Sequence, residues 1–110
     1  TGTWGTITSS GALKQDVTDA ASQVDDIKAL RLVNFRFIKD VELQGDDALR
    51  HLGVIAEEVE AAGMGGLVDE RLGEGGETVK SVKTSVMLVK GLKALQEIIG
   101  RVEALESASA

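Results

Sequence analysis

The feature that most constrains the fold is an apolar pattern in the last quarter of the chain. Large aliphatic residues recur at alternating steps of four and three, at Leu88, Leu92, Leu95, Ile99 and Val102. This spacing predicts a long helix over residues 84–107 with a heptad seam along one side. Such a helix extends about 36 Å, at a rise of about 1.5 Å per residue. A domain of this size has a radius of gyration of only about 13 Å, so the helix lies across the whole domain or projects from it.

A second apolar stripe of Ile98, Val102 and Leu105 runs beside the seam. Two apolar sides on a projecting helix favour association with partner helices. We therefore predict an oligomer with coiled-coil character, whose interface contains the five seam residues. The alternative is a single long core helix without a partner.

The rest of the chain predicts short elements and hence an α+β fold, with a small β-sheet, short helices and the long C-terminal helix. The apolar alternation and helical spacing give strands over residues 1–8, 31–38 and 78–83, and helices over 16–30 and 54–62. Residues 39–50 are polar and read as a loop, and His51 to Gly53 lead into the second helix. Gly63 is placed to end that helix.

Composition excludes several classes of function. The formal net charge is −6 and no basic stretch is present, which argues against nucleic acid as a partner. No apolar run is long enough for a membrane span. The chain has no Cys and one His, and its acidic loop lacks the spacing of a calcium loop, so we expect no metal. The glycines form no phosphate-binding motif, and we expect neither a cofactor nor a small-molecule substrate.

Near the N-terminus, Ser9 stands five residues before Lys14, in a polar turn that contains Gly11. A serine hydroxyl is a weak nucleophile that needs a base. A lysine acts as a base only when burial or nearby positive charge lowers its pKa towards about 7–8. By itself this spacing favours the simpler interpretation, a turn-forming serine and a solvated lysine, over a catalytic pair.

Three stretches together resemble one family. The run from Ser9 to Lys14 is similar to the Ser-Asp-x-Arg-Leu-Lys opening of the intramolecular chaperone domains that end phage tail spikes and tail fibres. The run from His51 to Glu60 resembles the Gly-x-Ile-Ala-Gln-Glu-Val stretch of that family. The run from Val79 to Lys83, followed by an apolar helix, resembles its last strand and C-terminal helix.

The resemblance implies a homotrimer that assists assembly of a fibre or spike and then cuts itself off before the motif serine. The cleaved bond would be Thr8–Ser9, with residues 1–8 as the tail of the preceding segment and 9–110 as the chaperone domain. Ser9 would be the nucleophile and Lys14 its base, as in a self-cleaving Ser-Lys peptidase. His51, at a position that resembles one near the family's cleavage site, would assist.

The chain departs from the family pattern at Ser10 and Ala12, which stand where the family has Asp and Arg. Ser10 is also a rival nucleophile, only four residues from Lys14. These departures favour the alternative of a non-catalytic trimerisation cap of the same fold. Under either alternative the partners are two further copies and the upstream segment of the same chain. The resemblance implies a virion tail precursor that folds in the host cytoplasm.

Overall fold

The computed structural model describes residues 9–109, so the strand predicted over residues 1–8 lies outside the described part. Three-residue 3₁₀ turns occur at Gly11–Leu13, Gly45–Asp47 and Gly65–Leu67. The helices and strands follow in the order α1 (Val24–Ala29), β1 (Val33–Phe35), α2 (Ile38–Gln44), β2 (His51–Gly53), α3 (Ala56–Ala61), β3 (Val68–Leu72), β4 (Thr78–Val82) and α4 (Thr84–Ser109). The chain divides into two units, one formed by residues 1–27 and 83–110 and the other by residues 28–82.

The first unit is dominated by α4, which confirms the predicted long C-terminal helix. Among the described residues of this unit, Ala94 in the middle of α4 is the one with a buried apolar side chain. On the same side of the helix, Lys90 donates hydrogen bonds to Gln23 and to Asp26 of α1. Glu97 accepts one from the backbone N–H of Gln23, the residue before α1. Most of the remaining surface of α4 is exposed.

The second unit contains two small antiparallel sheets. Strands β1 and β2 pair with Phe35 opposite His51 and Val33 opposite Gly53. Strands β3 and β4 form a hairpin with five residues in each strand, from the Val68–Val82 pair to the Leu72–Thr78 pair. The mixed content of short helices, small sheets and one long helix confirms the predicted α+β class.

The second unit has four buried apolar side chains among the described residues. Val59 on α3 is almost fully buried, and Ala48, Met64 and Leu67 are buried as well. The helix ends as predicted at Gly63, which has a φ of +88°. The N–H of Gly63 donates to the Glu60 carbonyl and that of Met64 to the Val59 carbonyl, which is the Schellman arrangement. This ending turns the chain so that Met64 joins Val59 in the core.

The helix predicted over residues 16–30 is wrong in its first half. Only Val24–Ala29 is helical, and residues 14–23 have no regular structure. Asp16 adopts a φ of +56°, outside the helical region, and Val17, on the predicted apolar face, is 78% exposed. A short helix depends on packing of its apolar face, and Val17 is not packed, so the periodicity alone does not produce a helix there.

The loop predicted over residues 39–50 is also wrong, because α2 and a 3₁₀ turn occupy most of it. Its residues are adequate helix formers, and the expected turn appears only at Gly45, where the helix ends. Residues 51–53 form β2 rather than the entry to a helix, and the strand predicted over 31–38 shortens to Val33–Phe35. Strand β3 was not predicted, because its charged residues hide the alternation that marks a strand.

Candidate functional site

The Gly11–Leu13 turn brings the two ends of the N-terminal motif together. The Leu13 N–H donates to the Ser10 carbonyl, and the Lys14 N–H donates to the Gly11 carbonyl, at 3.1 and 3.2 Å. These two overlapping hydrogen bonds close the turn over residues 10–14. As a result the Lys14 Nζ lies 3.1 Å from the Ser9 Oγ, within hydrogen-bonding distance.

In this contact the lysine donates and the serine hydroxyl accepts. An ammonium group has three N–H donors and no acceptor, so in this state it cannot receive the hydroxyl proton. After loss of one proton the same two atoms, at the same distance, could exchange roles, and the amine would accept from the hydroxyl. The geometry is therefore suited to general-base chemistry once the amine is neutral.

The turn is fully open to solvent in the single chain. Ser9, Ser10 and Lys14 are exposed, and the neighbouring Leu13 is 73% exposed. Ser10 supplies its carbonyl to the turn, and its side chain makes no capping hydrogen bond. The structure thus brings Lys14 to Ser9 rather than to Ser10. Thr8, the other residue of the predicted cleavage bond, lies outside the described residues.

The predicted trimer seam forms an exposed apolar strip along α4. Its five members, Leu88, Leu92, Leu95, Ile99 and Val102, are between 47% and 54% exposed. Ile98 and Leu105 of the second stripe are also exposed. Exposed apolar patches of this kind mark interaction surfaces, which is consistent with the predicted association.

His51 belongs to the second unit and packs among aromatic rings. Its ring stacks on Phe35 at a centroid distance of 5.4 Å and meets Phe37 edge-on at 5.0 Å. The pairing of β1 with β2 places His51 directly opposite Phe35, and Phe37 follows on the same face two residues later. This packing accounts for His51 structurally, and its assisting catalytic role stays a prediction.

A polar cluster that the sequence analysis missed ties α1 to α4. The Lys90 ammonium donates to the Gln23 side-chain oxygen at 2.6 Å and to the Asp26 carboxylate at 2.8 Å. The Glu97 carboxylate accepts the backbone N–H of Gln23 at 2.9 Å. The Ser22 hydroxyl and this N–H stabilise the charged form and so lower the pKa of Glu97. The signal in the sequence was the seven-residue spacing of Lys90 and Glu97, which places both on one side of α4.

Two ion-pair groups join elements of the second unit. Arg31 donates two hydrogen bonds to the Glu58 carboxylate at 2.8 and 2.7 Å, which lowers the pKa of Glu58. Lys80 on β4 lies 2.6 Å from Glu60 on α3 and 3.6 Å from Glu70 on β3, and its hydrogen bond to Glu60 raises its pKa. Glu58 and Glu60 on α3 thus link this helix to other parts of the unit.

Two further observations apply to residues 9–109 only. None of their helices is both long and apolar enough to cross a membrane. No group of three or more His, Asp or Glu side chains among them is arranged to hold a metal ion.

Comparison with known proteins places the fold among intramolecular chaperones. One solved structure, described as a novel intramolecular chaperon, superposes with a TM-score of 0.70 over 84% of this chain and 99% of that chain, at 18% identity. At this identity the match shows the fold alone. No curated protein matches the sequence.

The family follows from the sequence itself. Residues 9–69, more than half of the chain, match the model of a peptidase family described as chaperone of endosialidase. The chain belongs to this family of intramolecular chaperones, as the three motif stretches indicated. Both the predicted fold class and the predicted family are therefore confirmed, and a domain of this type acts on its own upstream segment.

Proposed function

We propose that this domain trimerises through α4, assists the assembly of the fibre or spike segment that precedes it, and then releases itself by cutting the Thr8–Ser9 bond. The observation that carries the proposal is the 3.1 Å contact of Lys14 with Ser9 in a chain of this family. The family match also begins at Ser9, which agrees with a domain boundary at the cleavage site.

In the proposed reaction the Ser9 hydroxyl attacks the carbonyl carbon of Thr8. Lys14, as the neutral amine, takes the hydroxyl proton, and the Ser9 nitrogen leaves with a proton as an amine. The Thr8 acyl group is then an ester on the Ser9 oxygen, and water hydrolyses it to a Thr8 carboxylate and a free hydroxyl. The first N–H groups of a helical turn have no partner inside it, so those around Gly11 could hold the oxyanion.

Assembly would favour the neutral Lys14 amine that the proposed reaction needs. Lys14 is exposed, and water disfavours the neutral amine that a general base must be. Contact with a neighbouring chain would remove water from it and favour the neutral amine. Leu13, exposed beside it, gives such a contact an apolar surface to cover. Cleavage would then follow trimerisation rather than precede it.

The setting carried over from the family is a phage tail fibre or spike. We propose that the precursor folds in the host cytoplasm and that the domain leaves the assembled tail after the cut. Its partners would be two copies of itself and the upstream segment, without cofactor, metal, nucleic acid, membrane or small-molecule substrate.

A second candidate function is a trimerisation cap that does not cleave. The exposure of Ser9 and Lys14 favours it, because solvent disfavours the neutral amine that a general base needs. Ser10 and Ala12, where the family has Asp and Arg, favour it as well.

The test is intact mass spectrometry of the chain extended by an upstream segment. Wild type should lose everything before Ser9, whereas Ser9→Ala should stay whole and trimeric. Lys14→Ala should slow cleavage by roughly 10²–10⁴-fold, the usual contribution of a general base. Lys14→Arg should do no better, because a guanidinium does not deprotonate.

Ser10→Ala is the matched control and should cleave like wild type. If Ser9→Ala cleaves and Ser10→Ala does not, the nucleophile is Ser10. If wild type is trimeric and never cleaves, the catalytic proposal is wrong and the domain acts as a cap. Dilution below the range of trimer dissociation should slow the wild-type reaction, since the site would lose its neighbour.

A further inference from the structure

The polar cluster on α4 lies on the side of the helix that the seam does not use. At 3.6 residues per turn, Lys90 and Glu97 point roughly 160–180° away from the centre of the seam. The seam is thus left for partner chains, while the opposite side binds residues of its own chain. The two side chains make three hydrogen bonds with Gln23 and Asp26, and Glu97 also accepts one from the Ser22 hydroxyl.

We define the leading segment as residues 9–23, which contain the Ser9–Lys14 site at one end. Gln23, which α4 binds, is the other end. Between Lys14 and Gln23 this segment has no regular structure, and residues 14–21 are exposed. The helix that follows, α1, has only six residues. A helix so short is not stable alone and depends on its tertiary contacts.

We infer that Lys90 and Glu97 are positioning residues for the Ser9–Lys14 site, because they fasten the leading segment to the trimerisation helix. This inference rests on the proposed function and adds the device that links assembly to cleavage. Because the segment is bound to α4, it stays beside this helix when α4 joins a trimer. The Ser9–Lys14 site then lies where a neighbouring chain can cover it.

The size of the effect follows from the length of the tether. From Gln23 back to Lys14 the chain spans at most about 30 Å, so the fastened site stays near α4. Once Gln23 is released, the next ordered strand along the chain is β1, which begins at Val33. The tether is the flexible stretch between Lys14 and the first fixed residue, and it then extends to Val33 and roughly doubles in length. Effective concentration falls as the −3/2 power of tether length, so that of the Ser9–Lys14 site at the neighbouring chain falls about threefold.

The experiment compares cleavage rates of trimeric chains that carry the same upstream segment. The variant that combines Lys90→Met with Glu97→Ala removes the hydrogen bonds to Ser22, Gln23 and Asp26 and keeps the alkyl part of the lysine. It should remain trimeric and cleave about threefold more slowly or worse. Glu97→Gln should be close to wild type, because its amide oxygen still accepts the Gln23 N–H. The matched control, Gln96→Ala with Glu103→Ala, changes two exposed α4 residues outside the polar cluster and should also match wild type.

A second readout does not depend on activity. Amide hydrogens of α1 should exchange faster in the double variant than in wild type or the control. The inference is wrong if the double variant is trimeric and cleaves at the wild-type rate, or if its α1 amides exchange at the wild-type rate. Wild type that stays whole as a trimer overturns the proposed function itself. In that case the exchange of α1 still shows whether Lys90 and Glu97 hold the segment.

Discussion

Replacing Leu95 by aspartate tests the trimer at its centre. Leu95 is the middle residue of the seam and is 54% exposed in the single chain. Full burial of a leucine side chain is worth about 1.5–3 kcal/mol, so covering its exposed half contributes about 0.8–1.5 kcal/mol. A trimer contains three such side chains at one level, and together they contribute about 2–5 kcal/mol.

Aspartate removes this contribution and adds a larger cost. Three carboxylates would meet in one apolar layer without partners, and desolvation of each costs several kcal/mol. The whole seam, five half-exposed side chains in three copies, supplies about 12–23 kcal/mol by the same reasoning. The substitution therefore removes or offsets a large part of the seam's stabilisation, and we expect monomers at micromolar concentration.

The measurement is sedimentation equilibrium of wild type, Leu95→Asp and a matched control, Gly100→Asp. The control adds the same charge on the next turn of α4, on a side where a new Cβ meets no atom within 4 Å. It should remain trimeric. A monomeric wild type refutes the trimer, and a Leu95→Asp variant that keeps the wild-type mass refutes the assignment of the seam. Equal dissociation of the control would show that helix charge, rather than burial in the seam, decides the result.

Three further predictions concern the fold. Val59→Ala should lower the free energy of unfolding by about 1.5–3 kcal/mol, from two lost methyl groups and the cavity they leave, as measured by urea denaturation. Gly63→Ala should cost about 1–2 kcal/mol in the same assay, because alanine is strained at a φ of +88°. Stability should also fall in acid, since the lowered pKa of Glu97 makes its contribution complete above the unfolded-state pKa. That contribution is lost as the pH falls through the folded-state value, and Glu97→Gln should flatten this part of the profile.

Each of these predictions has a matched comparison within the chain. Leu72→Ala removes a larger side chain that is 75% exposed and should change the stability little. Gly66→Ala stands at a glycine without a positive φ and with open space around it, and should be close to neutral. A Gly66→Ala variant as unstable as Gly63→Ala, or a Glu97→Gln variant with the wild-type acid profile, contradicts the corresponding argument.

Elements with strong periodicity or clear end signals could be predicted from the sequence. The long helix α4 and the glycine that ends α3 were predicted correctly, because each depends on residues close together in the chain. The first half of the helix predicted over residues 16–30 failed because its apolar side found nothing to pack against. Strand β2 was missed since three residues carry too little alternation to be recognised, and pairing with β1 defines it instead.

For the candidate site, the sequence by itself determined the chemical groups, their spacing and the family to which they belong. A serine five residues before a lysine, across a turn with glycine, is a local property, and a local turn suffices to bring Lys14 to Ser9. Only the tertiary structure decided that Lys90 and Glu97 form hydrogen bonds with Gln23, which lies more than sixty residues earlier in the chain. It likewise placed His51 among phenylalanine rings. Contacts between distant residues depend on how separate elements pack, and no short pattern in the sequence records that packing.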